Sequence, residues 1–539
     1  MPMPRPPKIP IVDKLEHEQP QVSKLLQQGL TFHQQGNLTE AQVIYEQILN
    51  IQPDHFDALQ LLGVLSAQIK KYSKAVEFLS KALKINPKHA KVCNNYGIAL
   101  KELKRFDEAI ASYDQAIAIN PDYIDALSNR GNALQELDRY DEALASYDQA
   151  IAIKSDYAEA HFNRGNALQE LDRYDEAVAS YDQAIAVKSD YAEAYSNRGV
   201  SLKELNRYEE ALTSYNQAIA IKPNHIDANL NLSLCNLMLG NFNEGWQGFE
   251  WRWLDNKFDS KPLKSNKPAW DHQKTDQRLL VWPEQGIGDH IFFGSLLSEL
   301  LEDTPHLLVQ IDRRLIPIFK RSLPKIKFYP NNIAVPESEY EVHTPIGSFG
   351  KYLRNDEKDF ESSRYGFLKD DEIKTANIKK DLLALTPSNN KICGISWRSV
   401  RPKTGIHKTI SLKFFIETLA LEGYTFVSLQ YGDTADEIKE VKDELGIDIV
   451  SYEKVDNFND IDGLASLIQA CDTVISIDNV TCQLAGALGK EIHVLLTYGS
   501  WWGWMVNRSD SPWYSSVKIY RQEKINNWGD VLEKVRGDL

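Results

Sequence analysis

Three groups of residues in this 539-residue chain have types and spacings that could do chemistry. The first is ISIDNVTCQLAGALGK (475–490), where an apolar run ends at Asp478 and small residues open a helical pattern. The free N–H groups and positive dipole end of such a helix suit an anionic phosphate, while Asn479 or Thr481 equally suits a plain helix cap. The second is EQGIGDHIFFGSLLSELL (284–301), a glycine turn feeding an apolar helix, with Gln285, Gly286, Gly288, Asp289 and His290 in or beside the turn. The third is a row of asparagines, Asn95, Asn129, Asn163, Asn197 and Asn231, repeating with a step of 34. A carboxamide both donates and accepts, so such a row can hold the backbone of an extended peptide without reading its side chains; the alternative is a solvated helix face. Gln27 and Leu61 stand at the same place in the first two units, so the row runs through units three to seven.

The spacing identifies the elements that carry the asparagines. Glycine recurs at Gly29, Gly63, Gly97, Gly131, Gly165 and Gly199, with Ser233 in the seventh place, always 34 residues apart. Twelve residues after each stands Ala41, Ala75, Ala109, Ala143, Ala177, Ala211 or Gly245, and four further on Tyr45, Leu79, Tyr113, Tyr147, Tyr181, Tyr215 or Phe249. Two helices that cross closely need a small residue at the contact, and the aromatic is expected to fill the space between successive units. Pro53, Pro87, Pro121 and Pro223 suit the turns, where no helical N–H is required. These phased signals resemble the tetratricopeptide family over about residues 22–255, seven units, which implies an all-α superhelix whose first helices line a concave groove. The asparagine row resembles that of the O-linked N-acetylglucosamine transferases, which implies a protein or peptide in the groove. The seventh unit, LMLGNFNEGWQGFEWRW, is expected to cap the array and join the next domain through Trp246, Trp251 and Trp253. Residues 1–21 are expected to form a disordered leader.

After a polar connector, 256–275, the period changes. RLLVWPE, HLLVQID, KICGISWR, YTFVSLQ, DIVSY, DTVISID and EIHVLL read as buried strands alternating with helical runs, and alternation implies parallel sheets with right-handed crossovers. A polar stretch near Asp370–Asn390 divides the series, so 276–385 and 386–539 are expected as two Rossmann-like domains facing one cleft. Such sheets bind ligands beyond the carboxyl ends of their strands, where Asp478 and the 285–289 turn fall; Gln430, Tyr431 and Asp433 end another strand there.

EQGIGD, CGISWRSVRPKTGIHKTISL and ISIDNVTCQLAGALGK together resemble the heptosyltransferase-like glycosyltransferases of the two-domain B fold, and more closely the bacterial proteins that join tetratricopeptide repeats to such a module. The resemblance covers nearly everything after Pro268. It implies that Asp289 is the base taking the acceptor proton in an inverting transfer, the alternative being a carboxylate that satisfies loop amides; His290 beside it either shares that role or is a solvated loop histidine. It also implies that Lys408 contacts donor phosphate; Arg398 and Lys403 lie with it after the strand that starts the nucleotide half, where cations either neutralise a leaving diphosphate or form a solvated basic loop. Asp478 and Thr481 match the family's helix start, whereas the histidine of many relatives is Gln483 here, which can hydrogen-bond but cannot carry a proton. Trp501, Trp502 and Trp504 suit either a wall of the sugar site or an apolar plug. The co-substrate implied is a nucleotide-diphosphate sugar, with no separate cofactor and no essential metal.

A formal net charge of −15 argues against general affinity for nucleic acid or anionic membranes, and no stretch has the ~18 apolar residues a membrane span needs. Five scattered cysteines in no C-x-x-C pair point away from disulfides and zinc and toward the cytoplasm. The leading expectation is therefore a cytoplasmic glycosyltransferase whose repeats present a protein or peptide acceptor. Two alternatives stay open: a scaffold with a degenerate transferase module, for which Gln483 is the clue, and a transferase acting on a glycan or lipid-linked saccharide.

Overall fold

The computed structural model describes residues 12–361, 366–399 and 405–539, with backbone alone at 12–19 and 406. The chain forms two compact units, one ending at Ser201 and the other beginning at Leu202. In the first unit each repeat is a helix pair, and its glycine explains the tightness. A Cβ on Gly97, Gly131 or Gly165 would come within 2.5 Å of the ring of Tyr113, Tyr147 or Tyr181. The aromatic thus sits against the glycine of its own unit, and Tyr113, Tyr147 and Tyr181 share one continuous core with Ala133 and Ala167 of successive units. Tyr147 and Tyr181 are fully buried, and burial still leaves their hydroxyls polar partners: Tyr147 Oη donates to Asn132 and Gln135 at 2.7 Å.

The leader is shorter than expected. A helix already runs from Val12 to Gln34, because the stretch KLEHE (14–18) consists mostly of good helix formers, and it passes through Pro20; the remaining leader residues lie outside those described.

In the second unit the buried, β-branched and leucine-rich runs become two parallel sheets. The first holds β1 (Leu279–Trp282), β2 (Leu307–Ile311), β3 (Lys327–Pro330) and β4 (Val342–Pro345) in the order β3-β2-β1-β4, with Val281 beside Val309 and Thr344. The second holds β5 (Lys391–Ser396), β6 (Tyr424–Ser428), β7 (Ile449–Val450), β8 (Thr473–Ile477), β9 (Ile492–Leu496) and β10 (Val517–Arg521) in the order β10-β9-β8-β5-β6-β7. The unforeseen β10 pairs along β9 in register Val517 with Ile492; its Lys518 and Arg521 mask it in sequence.

Three segments take defined structure. The polar divider is largely a helix, Glu372–Leu385, burying only Ile378 and Leu382. The connector is packed, not free: Trp270 is buried and its backbone N–H donates to His343 O at 2.8 Å, while Asn266 N donates to Glu337 at 2.7 Å. The last repeat, Ile226–Leu239 and Phe242–Phe249, belongs to the same unit as the sheets. Trp246 explains this join, since its indole N–H donates to Arg354 O at 2.7 Å and its ring fills the space a Cβ on Gly350 would need.

Candidate functional site

A cavity of about 310 Å³ lies at the carboxyl ends of both sheets, as parallel strand topology predicts. One wall is the turn after β1, Gly286 to Asp289; the opposite wall is Asp478, Asn479 and the start of helix Val480–Ala487. The walls meet at the floor, where a Cβ on Gly288 would lie 3.9 Å from Gln483 Cγ.

Asp289 lines this cavity and shapes its own turn, its carboxylate accepting from Gly286 N at 3.1 Å. On the other wall Lys408 pairs with Asp478, and Asn479 caps the helix by accepting from Thr481 N at 2.9 Å. Asn479 also donates to Ser396 Oγ at 2.8 Å, locking the helix start to the end of β5. Thr481 is fully buried at the cavity wall, and its hydroxyl has no partner among the described residues. An unmatched buried hydroxyl beside a helix start and a lysine is chemically suited to a phosphate oxygen. Gln483 lines the cavity too, held by Tyr514 Oη at 3.0 Å.

Other expected site residues are used elsewhere. Gln430 accepts from Ser396 Oγ and from Trp397 N and Arg398 N, each at 3.0 Å, and donates to Arg398 O and Tyr431 O. Its amide is consumed in holding the segment after β5, because β5 and β6 are neighbours. Arg398 turns to Asp433 O and Glu437, and Asp433 is an exposed turn residue accepting from Ala435 N at 3.1 Å; neither lines the cavity. Lys403 lies outside the described residues. Gln285 is exposed in a left-handed conformation, φ 56°, and donates its N–H to Ser260 instead.

His290 is a correction of a different kind. It points into the protein, 2% exposed, with Nδ1 accepting from Asp312 N at 3.1 Å. Burial lowers its pKa to about 4, and the ring is held inside the protein rather than at the cavity. His493, fully buried and 3.0 Å from Tyr520 Oη, is likewise lowered to about 4 by burial. Unfolding releases both to an ordinary value near 6.5, so below that pH the unfolded chain binds more protons and the native state loses stability as pH falls toward 4. Denaturation followed by fluorescence should therefore show a lower midpoint at pH 5.5 than at pH 7, and His290→Asn should shrink the difference. An unchanged midpoint would contradict this placement of the histidines.

Cavity residues that the sequence reading passed over include Arg314, Ser399, Asn457, Phe458 and Leu464. Arg314 forks onto Asp312 at 2.9 Å, donates to Phe458 O at 3.0 Å and lies over the Phe458 ring. Its position just beyond the end of β2 was the available signal.

The asparagine row is cross-linked. Asn163 donates to Asn132 and Asn197 to Asn166, each from the preceding unit, at 3.0 and 2.9 Å; Asn129 donates to Asn94 at 3.0 Å. All five of the row are half-buried, and three of them, Asn129, Asn163 and Asn197, are tied from helix to helix. Among the described residues no helix is long and apolar enough to cross a membrane, and the five cysteines are free and buried.

Models of the TPR repeat match residues 97–138 and 136–172, and models of the tetratricopeptide repeat match 32–92, 162–226 and 197–244. Protein FlbA of Caulobacter vibrioides is 31% identical over 317 residues, 56% of this chain and 52% of FlbA, so the chain spans about half the length of that relative. A solved tetratricopeptide repeat protein from Parabacteroides merdae is 17% identical, covering 42% of this chain and 91% of its own, with a TM-score of 0.37. YrrB, described as a TPR protein with an unusual peptide-binding site, is 22% identical, covering 34% and 95%, with a TM-score of 0.31. The helix pairs and the family models agree: residues 32–244 of this chain carry tetratricopeptide repeats.

Proposed function

We propose that this protein is a cytoplasmic glycosyltransferase that moves a sugar from a nucleotide-diphosphate donor to a protein or peptide held by its repeats. In this reading the two parallel sheets are the cores of two Rossmann-like domains of a B-fold transferase. The observation that carries it is the cavity between the sheet ends, with Asp289 on one wall and Lys408, Thr481 and a helix start on the other. The division suits an inverting displacement. Lys408 and the helical N–H groups take the charge that develops on the leaving diphosphate, while Asp289 accepts the proton of the attacking hydroxyl from the opposite side. No metal is assigned a step. Peptide delivery by the repeats is supported by the tied asparagine row, whose carboxamides match a peptide backbone.

Thermal unfolding with a panel of nucleoside diphosphates tests the donor site. A ligand that binds only the native state at about 100 times its Kd stabilises it by about 2.7 kcal/mol. At least one member of the panel should raise the transition temperature, and a panel without effect would overturn the transferase reading.

A further inference from the structure

We propose that Trp504 is a positioning residue that sets Asp478, and through it Lys408, at the wall of the cavity. The inference rests on the donor reading for its ligand but on geometry for its substance. Asp478 is held from two sides. Its Oδ1 accepts from Trp504 Nε1 at 2.8 Å, and its other oxygen carries Lys408 Nζ. With one oxygen fixed by a neutral donor, the carboxylate presents the second in a single direction, and the lysine follows. Without the indole N–H, the carboxylate is free to turn, and the ammonium loses its fixed station.

Trp504 is itself fixed. It is 1% exposed and closes a short turn, Trp502–Trp504, followed by Met505 and Asn507 in left-handed conformations at φ 49° and 58°. Asn507 is a residue type that adopts this region readily, whereas for Met505 the angle is held by its surroundings. Here the surroundings are Val506 N donating to Met238 O at 3.0 Å, Arg521 donating to Met505 O at 2.5 Å, and Tyr498 Oη donating to Leu205 O at 3.3 Å. Met238 lies in the last repeat, so the segment that aims Asp478 is anchored on the end of the repeat array. Strain maintained beside a cavity, by contacts that reach another structural element, is what a positioning strap requires.

A plain core role for the indole makes a different prediction, and Trp513 is the control. It is about as buried, at 2%, but its Nε1 has no hydrogen-bond partner among the described residues. The measurement is acylation of Lys408 by an amine-reactive ester, quantified by mass spectrometry in the full chain. Trp504→Phe should raise labelling several-fold, Asp478→Asn should raise it at least as much, and the double variant should match Asp478→Asn. Trp513→Phe should label as the wild type does. The same Trp504→Phe chain should bind its preferred nucleoside diphosphate about tenfold more weakly, the size of one lost hydrogen bond to a charged group. Trp504→His, which keeps a ring N–H, should recover part of both effects. Labelling unchanged in Trp504→Phe overturns the proposal, as does a folding defect in that variant without one in Trp513→Phe, which would assign the indole to packing. If no nucleoside diphosphate binds the wild type yet labelling behaves as described, the donor reading falls and the positioning of Lys408 stands.

Discussion

Arg252→Ala should destabilise the C-terminal unit by about 3–5 kcal/mol, the range for removing one partner of a buried ion pair. Arg252 is 1% exposed and Glu284 4%. The guanidinium donates to both Glu284 oxygens, at 2.7 and 2.9 Å, and to Ser348 Oγ at 3.0 Å, while its face lies over the rings of Phe249 and Trp253. Desolvation pushes its pKa down, but Glu284 and Glu250 outweigh that and hold it above the ordinary value. Truncation leaves the Glu284 carboxylate buried with Gly347 N, at 2.6 Å, as its remaining strong donor. Arg252→Ala combined with Glu284→Gln should recover much of the loss, because a neutral amide costs far less to bury. Tryptophan fluorescence is the natural probe, since all eleven tryptophans lie between Trp246 and Trp528 and report on the unit containing the sheets. A change below about 1 kcal/mol, typical of an exposed pair, would show that water reaches this site. Glu284 immediately precedes the glycine turn, so its anchoring on the repeat's C-terminal extension also steadies the wall that carries Asp289.

Asp289→Asn should lower sugar transfer by about 10²–10⁴-fold, the usual contribution of a general base, while leaving nucleoside diphosphate affinity nearly unchanged. The amide oxygen of asparagine can still accept from Gly286 N, so the turn keeps its shape and only the proton acceptor is lost. Lys408 and Thr481, the donor-side groups of the proposed reaction, lie on the opposite wall of the cavity and are untouched. Single-turnover transfer and nucleotide binding separate the two effects. Transfer that survives the substitution would remove Asp289 from the chemistry, and a parallel loss of binding would make it a structural residue.

The repeats were legible because their physics is close-range and periodic. Gly131 and Tyr147 are sixteen residues apart within one helix pair, and the same pairing recurs at Gly97 with Tyr113 and Gly165 with Tyr181. Strands were legible where the apolar run is uninterrupted, as in β1, and illegible in β10, whose exposed Lys518 breaks the run. Asp289, Asp478 and Thr481 drew notice because they follow a strand end or open a helix, whereas Lys408 and Gln483 were singled out by the family resemblance; all five line the cavity.

What composition and spacing settled, then, was the repeat array, the alternation that makes parallel sheets, and the strand ends where a ligand would sit, since each depends on residues near one another in the chain. Tertiary structure alone decided which side chains face the cavity. The β5 to β6 pairing turns Gln430 inward, Asp312 N captures His290, and Arg314 meets Phe458 from 144 residues away. It also decided that Trp504 holds Asp478 and that Arg252 holds Glu284, because a buried charge takes whichever partner the packed fold brings within hydrogen-bond reach, whatever the separation in sequence.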